Sequence, residues 1–306
     1  MIYTLTTNPA IDMNICSKGL EARKVNRTFG AVYTPNGKGL NVSFVLGHYG
    51  LPSKIMGFFG GFSGKYIVEE SEKMGYEVKP VWVEDTTRVN VFLFDGKTEY
   101  KLVNEGSYVT EANQNEMLKI IEEADDMEYL SISGSLPLGI DVSFYDKIFE
   151  VCNRRGIQVI LDISSKKLAE LLKYKPLLIK PNDEEILGIF GMELKTEEDM
   201  VEALEFLHKE GAQNILLTLG ERGSYFFDGE HVYYASAQPV KLLSSVCAGD
   251  SALAAFMSIW LKKRNKVEEA LKLSAATGAN VAESNAIGTL EKVDEYRNNI
   301  KVRMVK

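Results

Sequence analysis

Cysteine and histidine are both scarce in this chain, and their scarcity removes several chemistries at once. The three cysteines, Cys16, Cys152 and Cys247, form no CxxC pair and suggest no disulfide framework. The three histidines, His48, His208 and His231, are equally scattered, so no Ser–His or Cys–His nucleophile pair is suggested. Positive charge is also short: 35 Lys and Arg stand against 43 Asp and Glu, a formal net charge of −8. That balance argues against a nucleic-acid-binding surface, whereas a small anion needs only local positive charge. No window approaches the roughly 20 apolar residues of a membrane span. The first residues, Met1-Ile-Tyr-Thr-Leu-Thr-Thr, lack a basic segment followed by an apolar one. The expected partners therefore include neither nucleic acid nor membrane, and the expected location is cytoplasmic.

What is present suits a globular chain: 306 residues, 45% hydrophobic and 25% charged, enough for a sizeable core. Residues 2–7 read as a strand running into Asn8-Pro9, and 12–16 and 27–34 as further strands. A helix is expected over 40–49, closed by Gly50, then a strand over 54–59 and a helix over 63–74 ended by Gly75. Strand character returns at 76–83, 87–94 and 98–103, with Asp95-Gly96 as a tight hairpin turn. Arg88 and Asn90 lie two apart and so share one strand face. From 111 onward helices (111–125, 141–155, 166–173, 183–191, 197–210) alternate with short apolar strands (129–133, 157–162, 177–180, 214–219), and a hairpin follows at 224–235. This rhythm predicts an α/β fold, a doubly wound, mostly parallel sheet flanked by helices. Ligands in such sheets gather at the carboxyl ends of strands. Those ends carry Gly134-Ser135, Asp162, Lys180-Pro181-Asn182 with Glu185, and Thr218-Leu219-Gly220.

Two stretches point to anion chemistry. In Ser244–Phe256 a turn of small residues enters an alanine-rich helix pattern, with Asp250 at the junction. Unpaired N–H groups and the positive dipole end of a first helical turn can hold an anion. Small residues at Ala248 and Gly249 let it approach, and Asp250 beside it suits the removal of a proton from an attacking hydroxyl. On the tripeptide alone, Asp250 reads first as an ordinary first-turn residue favoured by the helix dipole. In Asn36-Gly37-Lys38-Gly39-Leu40-Asn41 two glycines flank a lysine and feed a helix, a turn able to aim a cation at a ligand. It is not a Walker loop, and the nearest imitation, Phe59–Tyr66, has Phe for the first required Gly and Tyr for the final Ser or Thr. No GxGxxG follows the first strand, which sets aside a dinucleotide-dependent oxidoreductase.

With Asn36–Asn41, Lys180–Glu185, Thr218–Gly220 and Ala248–Asp250 in order, the sequence resembles the ribokinase/PfkB family of sugar kinases over nearly its whole length. Thr6–Asp12, Val25-Asn26-Arg27, Gly37-Lys38-Gly39-x-Asn41-Val42-Ser43, Gly60-Gly61-Phe62-x-Gly64 and Thr87-Arg88-x-Asn90-Val91 resemble its 1-phosphofructokinase and tagatose-6-phosphate kinase branch. The resemblance implies that Asp12, Gly37, Gly39 and Asn41 hold sugar hydroxyls. It places Lys38, Arg88 and Asn90 on the sugar's phosphate or the incoming one, with Asn104 and Ser135 at the same pocket. Asn182 and Glu185 would organise Mg2+ through water. Lys180, Thr218, Gly220 and Gly223 would follow the ATP phosphates, and Asn280 would flank adenine. Ala248 and Gly249 would form the anion hole and Asp250 would be the base. Residues 13–35 and 87–104 would form a β-sheet lid that pairs with a second subunit's lid, and 1–12, 36–86 and 105–306 the α/β domain.

The implied reaction is ATP-dependent phosphorylation of a ketohexose monophosphate, first D-fructose 1-phosphate, with tagatose 6-phosphate as the alternative. Three departures from the family pattern bear on it. Cys247 stands where the first anion-hole glycine is expected; a left-handed backbone there would strain a cysteine by roughly 1–3 kcal/mol. In that case the hole is weakened and Lys38 is expected to supply compensating charge. Asn36 replaces a glycine, tolerable because asparagine accepts left-handed conformations. Asn104-Glu105-Gly106-Ser107 lacks the branch's proline. Cys247 is also the one feature favouring a sugar-phosphate sensor that has lost catalysis, and Asp250 argues against that alternative.

Overall fold

Short apolar strands with both faces covered form the centre of the computed structural model, which describes all of residues 1–306. The first third of the chain comprises β1 (Ile2–Thr6), β2 (Ala10–Ser17), β3 (Thr28–Asn36), α1 (Lys38–His48), β4 (Ser53–Gly60), α2 (Gly61–Lys73), β5 (Glu77–Val83), β6 (Arg88–Phe94) and β7 (Glu99–Leu102). The alternating stretch follows as α3 (Glu111–Glu123), β8 (Tyr129–Ser133), α4 (Phe144–Arg155), β9 (Gln158–Asp162), α5 (Lys167–Leu171), β10 (Leu178–Ile179), α6 (Asp183–Phe190), α7 (Glu197–Glu210) and β11 (Ile215–Thr218). The last part holds β12 (Ser224–Phe227), β13 (Val232–Ala235), α8 (Ala248–Trp260), α9 (Val267–Ala282), α10 (Val293–Asn299) and β14 (Val302–Met304).

Ten strands make one sheet in the order β14-β13-β12-β11-β10-β9-β8-β1-β4-β5. From β11 to β5 neighbouring strands are parallel, and β12 to β14 add an antiparallel edge. The period of two in each strand divides the core between the faces. Val159 and Leu161 of β9 and Ile215 and Leu217 of β11 pack with α3, α4 and α7 on one side. Ile160 and Leu216 pack with α1, α8 and α9 on the other. The strand order reverses beside β1: the chain goes to β4 and β5 first, then returns to β8 on the opposite side. Such a reversal leaves a crevice at the carboxyl ends of the two strands.

Four strands, in the order β3-β2-β6-β7, form a separate smaller sheet. Its centre is a parallel pair, β2 with β6, which sets Asp12 opposite Asn90. The tight turn expected at Asp95-Gly96 is present: inside the last β6–β7 pair, Phe94 with Glu99, the Asp95 N–H donates to the Thr98 carbonyl at 3.1 Å across Gly96-Lys97. The Asp95 carboxylate accepts from the N–H groups of Lys97 and Thr98 at 2.9 and 2.7 Å and so fastens the turn from its first residue. Helix α1 begins at Lys38 rather than Leu40, so the lysine belongs to the first helical turn. Gly37 before it has φ 149°, and Gly39 lies so close to β1 that an added Cβ would sit 2.5 Å from Thr6 Oγ1. Both glycines are there because the backbone of α1 is pressed onto the end of β1. No helix is long and apolar enough to cross a membrane.

Candidate active site

At the crevice beside β1 lies a cavity of about 840 Å³, open between the strand ends of the main sheet and the smaller sheet. It gathers side chains from far along the chain: Asp12, Lys38 and Asn41, Arg88 and Asn90, Ser135, Lys180, Asn182 and Glu185, Thr218, and Cys247, Gly249 and Asp250. Of the residues singled out from sequence, Gly37 also lines it, while Gly39 is buried in the first turn of α1 against β1.

A chain of polar contacts crosses the cavity wall from one sheet to the other. The Asn90 amide donates to Asp12 Oδ1 at 2.9 Å, and Asn36 donates to Asp12 Oδ2. Asn41 donates to Asn36 Oδ1 at 3.0 Å and to Asp250 Oδ2 at 3.0 Å. Asn36 is thus not the left-handed residue expected from its substitution for glycine; Gly37 carries the positive φ, and Asn36 ends β3 with its side chain joining the ladder. Burial pushes the Asp12 carboxyl up, while the Asn90 and Asn36 amides oppose the shift. Two carboxylates linked by amides in this way present the alternating donors and acceptors that sugar hydroxyls require.

The cationic residues fall into two groups. Arg88 and Lys101 line the end under the smaller sheet. The Arg88 guanidinium donates to the carbonyls of Asn8 at 3.0 Å and Asn104 at 3.2 Å, and its buried Nε has no partner. A fork held by two carbonyls with one donor unassigned is arranged for an incoming anion. At the other end Lys180 and Lys38 approach the same oxygen, Asp162 Oδ1, at 3.2 and 3.6 Å. Asp162 is 1% exposed, and no other group hydrogen-bonds to its carboxylate. Burial alone would raise its carboxyl, but Lys180 and then Lys38 hold it below the usual value. Burial likewise pulls Lys38 down, yet Asp162, Asp250 and Glu185 outweigh it and raise the ammonium, so it stays charged.

Helix α8 aims its first turn at this second cation group. Its N-cap is Cys247, with φ 65° and ψ −11°, so the left-handed conformation that strains a cysteine is the one adopted. The Ala248 N–H turns back to the Ser245 carbonyl at 3.3 Å, and Ala248 does not line the cavity, whereas Gly249 does. A Cβ at Gly249 would lie 3.4 Å from Lys180 Nζ, which places that ammonium against the helix start. Asp250, 6% exposed, titrates at about 6, raised by burial and then by Asp162, and held back by Lys38, Asn41 and Lys180. A carboxylate poised there, ionised at neutral pH and close to its proton-accepting limit, can serve as a general base. The neighbouring lysines and the N–H groups of α8 can receive an oxyanion.

Asn182 and Glu185 form the capping box of α6: Glu185 N–H donates to Asn182 Oδ1 at 2.7 Å and Asn182 N–H donates to Glu185 Oε2 at 3.0 Å. Ser164 donates to the remaining Glu185 oxygen. Besides Gly39 and Ala248, four residues expected at the site stand outside the cavity lining. Asn104 donates its amide to the Val89 carbonyl at 2.6 Å and its N–H to Asn90 Oδ1 at 3.2 Å, so it orients Arg88 and Asn90 from behind. Gly220 and Gly223 bound the 3₁₀ turn after β11, and Gly223 lies under the β13 carbonyl of Ala235, which an added Cβ would meet at 2.2 Å. Asn280, buried in α9, accepts from Lys292 N–H at 2.9 Å and so ties down the loop before α10. Asp162 and Lys101 were missed as site residues. The only signal for Asp162 was its place at the end of a parallel strand.

The chain matches the model of the pfkB family carbohydrate kinases over residues 5–292. It is 47% identical over 99% of both chains to a D-tagatose-1-phosphate kinase of Klebsiella oxytoca. It is 32% identical, again over 99% of both, to a 1-phosphofructokinase of Bacillus subtilis (strain 168). Among solved structures, phosphofructokinase-2 from Escherichia coli in complex with fructose-6-phosphate superposes with a TM-score of 0.88 at 25% identity, covering 97% of this chain and 98% of that one. With a ribokinase-like main sheet and a smaller companion sheet, and with these matches over nearly its whole length, the chain belongs to the pfkB family of carbohydrate kinases and is a sugar-phosphate kinase.

Proposed function

We propose that the chain transfers the terminal phosphoryl group of ATP to the 6-hydroxyl of a ketohexose 1-phosphate, with D-tagatose 1-phosphate as its first substrate and D-fructose 1-phosphate as the second. The observation that carries this is the separation of the two cation groups by the Asp12–Asn36–Asn41–Asp250 ladder. In this reading an acceptor phosphate sits on Arg88 and Lys101, the hydroxyls lie along the ladder, and the hydroxyl at the far end meets Asp250. Asp250 takes the proton of that hydroxyl as the oxygen attacks phosphorus, and Lys38, Lys180 and the Gly249 N–H receive the charge developing on the transferred group. Lys180, with Thr218, borders the path of the nucleotide phosphates. The relatives' names move the alternative from tagatose 6-phosphate to tagatose 1-phosphate and favour it over fructose 1-phosphate by their identities. A sensor without catalysis has no support beside relatives named as kinases.

No cluster of three or more His, Cys, Asp or Glu side chains is placed to cage a metal. Magnesium fits such a site when phosphate oxygens and water supply most ligands. Asn182 and Glu185 line the cavity and would hold it through water, their orientation fixed by the capping box. When bound, the ion neutralises charge on the phosphates. The proposed location is the cytoplasm. The test is an ADP-release assay comparing D-tagatose 1-phosphate, D-fructose 1-phosphate and D-tagatose 6-phosphate. The expected result is turnover of both 1-phosphates, and an Arg88→Lys variant whose sugar-phosphate KM rises about tenfold or more while the KM for ATP holds. Preference for the 6-phosphate, or an Arg88→Lys enzyme with unchanged KM, would remove the reading.

The smaller sheet would then be a lid over the sugar end; the boundaries expected at 12/13 and 35/36 fall inside β2 and β3, so the lid runs over 10–36 and 87–104 with the remainder as the body. Phe29, Val32 and Tyr33 of its edge strand β3 stand 53%, 54% and 49% exposed. We assign that edge to the smaller sheet of a second copy. Light scattering at micromolar concentration should then give twice the chain mass for the protein and the chain mass for a Val32→Lys variant.

A further inference from the structure

We propose that Cys247 is a specificity-determining residue, whose thiol stands in the hydroxyl-binding ladder and chooses between epimeric ketohexose phosphates; this rests on the substrate reading above. The backbone is the first observation. At φ 65° a cysteine is strained and glycine is not, so a side chain is retained here against the local conformational preference. The second is where that side chain goes. Cys247 is 7% exposed and lines the cavity. Asn41 Nδ2 lies 3.2 Å from its sulfur and 3.0 Å from both Asp250 Oδ2 and Asn36 Oδ1. An amide nitrogen has two hydrogens, so three acceptors compete for them and the thiol shares the group that links the ladder to the base. The third is capacity left for a ligand: Thr6 Oγ1, in a residue 1% exposed at the same cavity, has no hydrogen-bond partner.

The physical consequence is a weak spot placed among strong ones. A sugar hydroxyl facing Asp12 or Asn41 exchanges water for a good partner. One facing the thiol loses water and gains a weak donor and acceptor in return. Epimers differ in which way one hydroxyl points, and sites that leave a buried polar group poorly paired reject it strongly. With glycine at this position the corner opens to water and the penalty on the disfavoured epimer falls.

The test measures kcat/KM for D-tagatose 1-phosphate and D-fructose 1-phosphate with the wild type, Cys247→Gly and Cys247→Ala. The ratio between the two sugars should move toward unity by about tenfold in Cys247→Gly, with Cys247→Ala between, while the KM for ATP stays put. A purely structural role would change both sugars alike, and a ratio within about threefold of wild type in both variants overturns the proposal. Thermal melting checks folding: Cys247→Gly should melt no lower than wild type because φ 65° suits glycine. Cys247→Ala carries the comparison if it does not. If the wild type turns over neither sugar, the substrate reading falls separately. The same ratio is then read from the melting shifts that the two 1-phosphates produce, and an unchanged preference there overturns this proposal too.

Discussion

Replacing Asp250 with asparagine should lower kcat by about 10²- to 10⁴-fold, the usual contribution of a positioned general base, with little change in either KM. The same residue should set the acid limb of the kcat/KM profile. Its carboxyl titrates at about 6, so activity falls as pH drops through that value, by roughly tenfold at pH 5. The variant should also be the more stable protein at pH 7. Because the folded carboxyl is raised above its ordinary value, the native state binds the proton more tightly than the unfolded chain. That contribution is fully present below the ordinary carboxylate range and is lost as pH rises through about 6. At neutral pH the ionised Asp250 therefore lies buried at a cost, beside Asp162, and asparagine relieves it while still offering Asn41 an oxygen. Urea unfolding at pH 7 and pH 4 reads both signs: a variant less stable than wild type at pH 7 would show that Lys38 and Lys180 more than compensate for burial.

The second large effect is expected at Asp162. Removing one partner of a buried ion pair typically costs about 3–5 kcal/mol, because the other charge is left without compensation. Lys180 is the lysine that bears it, at 6% exposure, whereas Lys38 has 37% of its side chain exposed and can turn to water. Asp162→Asn should therefore unfold several kcal/mol earlier at pH 7. The sign with pH is opposite to that at Asp250. The Asp162 carboxyl is held below its usual value, so its contribution is present above the ordinary carboxylate range and is lost as pH falls through the depressed one. Inorganic phosphate or ATP should restore part of the lost stability by giving the two ammonium groups an anion, in the manner of any ligand that binds only the folded state. A variant as stable as wild type, with no response to phosphate, would show that the lysines need no counter-ion.

Much of this site was readable before any coordinates, for physical reasons that differ by residue. The helix start at Asp250 was legible because small residues before an apolar helix mark an N-terminus, but a carboxylate there is ordinarily a dipole-favoured first-turn residue, and its reading as a base came from the resemblance. Arg88 and Asn90 were visible because strands alternate, and both do face the cavity. Asp162 was located at a strand end but not understood, since its partners come from α1 and from the residue after β10, elements distant in sequence. Asn36 was read as a substitute for glycine, when its side chain rather than its backbone was the point. The turn at Asp95-Gly96 was legible because aspartate followed by glycine between alternating runs marks one, and the Asp95 carboxylate fastens it. Strand β14, only Val302–Met304, offers too few residues for any period to show.

The polar ladder has one more consequence. Asp12 and Asn90 belong to the smaller sheet, Asn41 and Asp250 to the helices of the main body, and Asn36 with Gly37 forms the covalent seam between them. Tilting the smaller sheet as a unit therefore strains the Asn36–Asn41 contact first, and through Asn41 the orientation of Asp250. Under the proposed function, the wall that would embrace the acceptor is therefore geared to the group that would activate it, like the bolt and the latch of one lock. An acceptor that holds the smaller sheet in register would then also hold Asp250 in line, which water alone is too small to do.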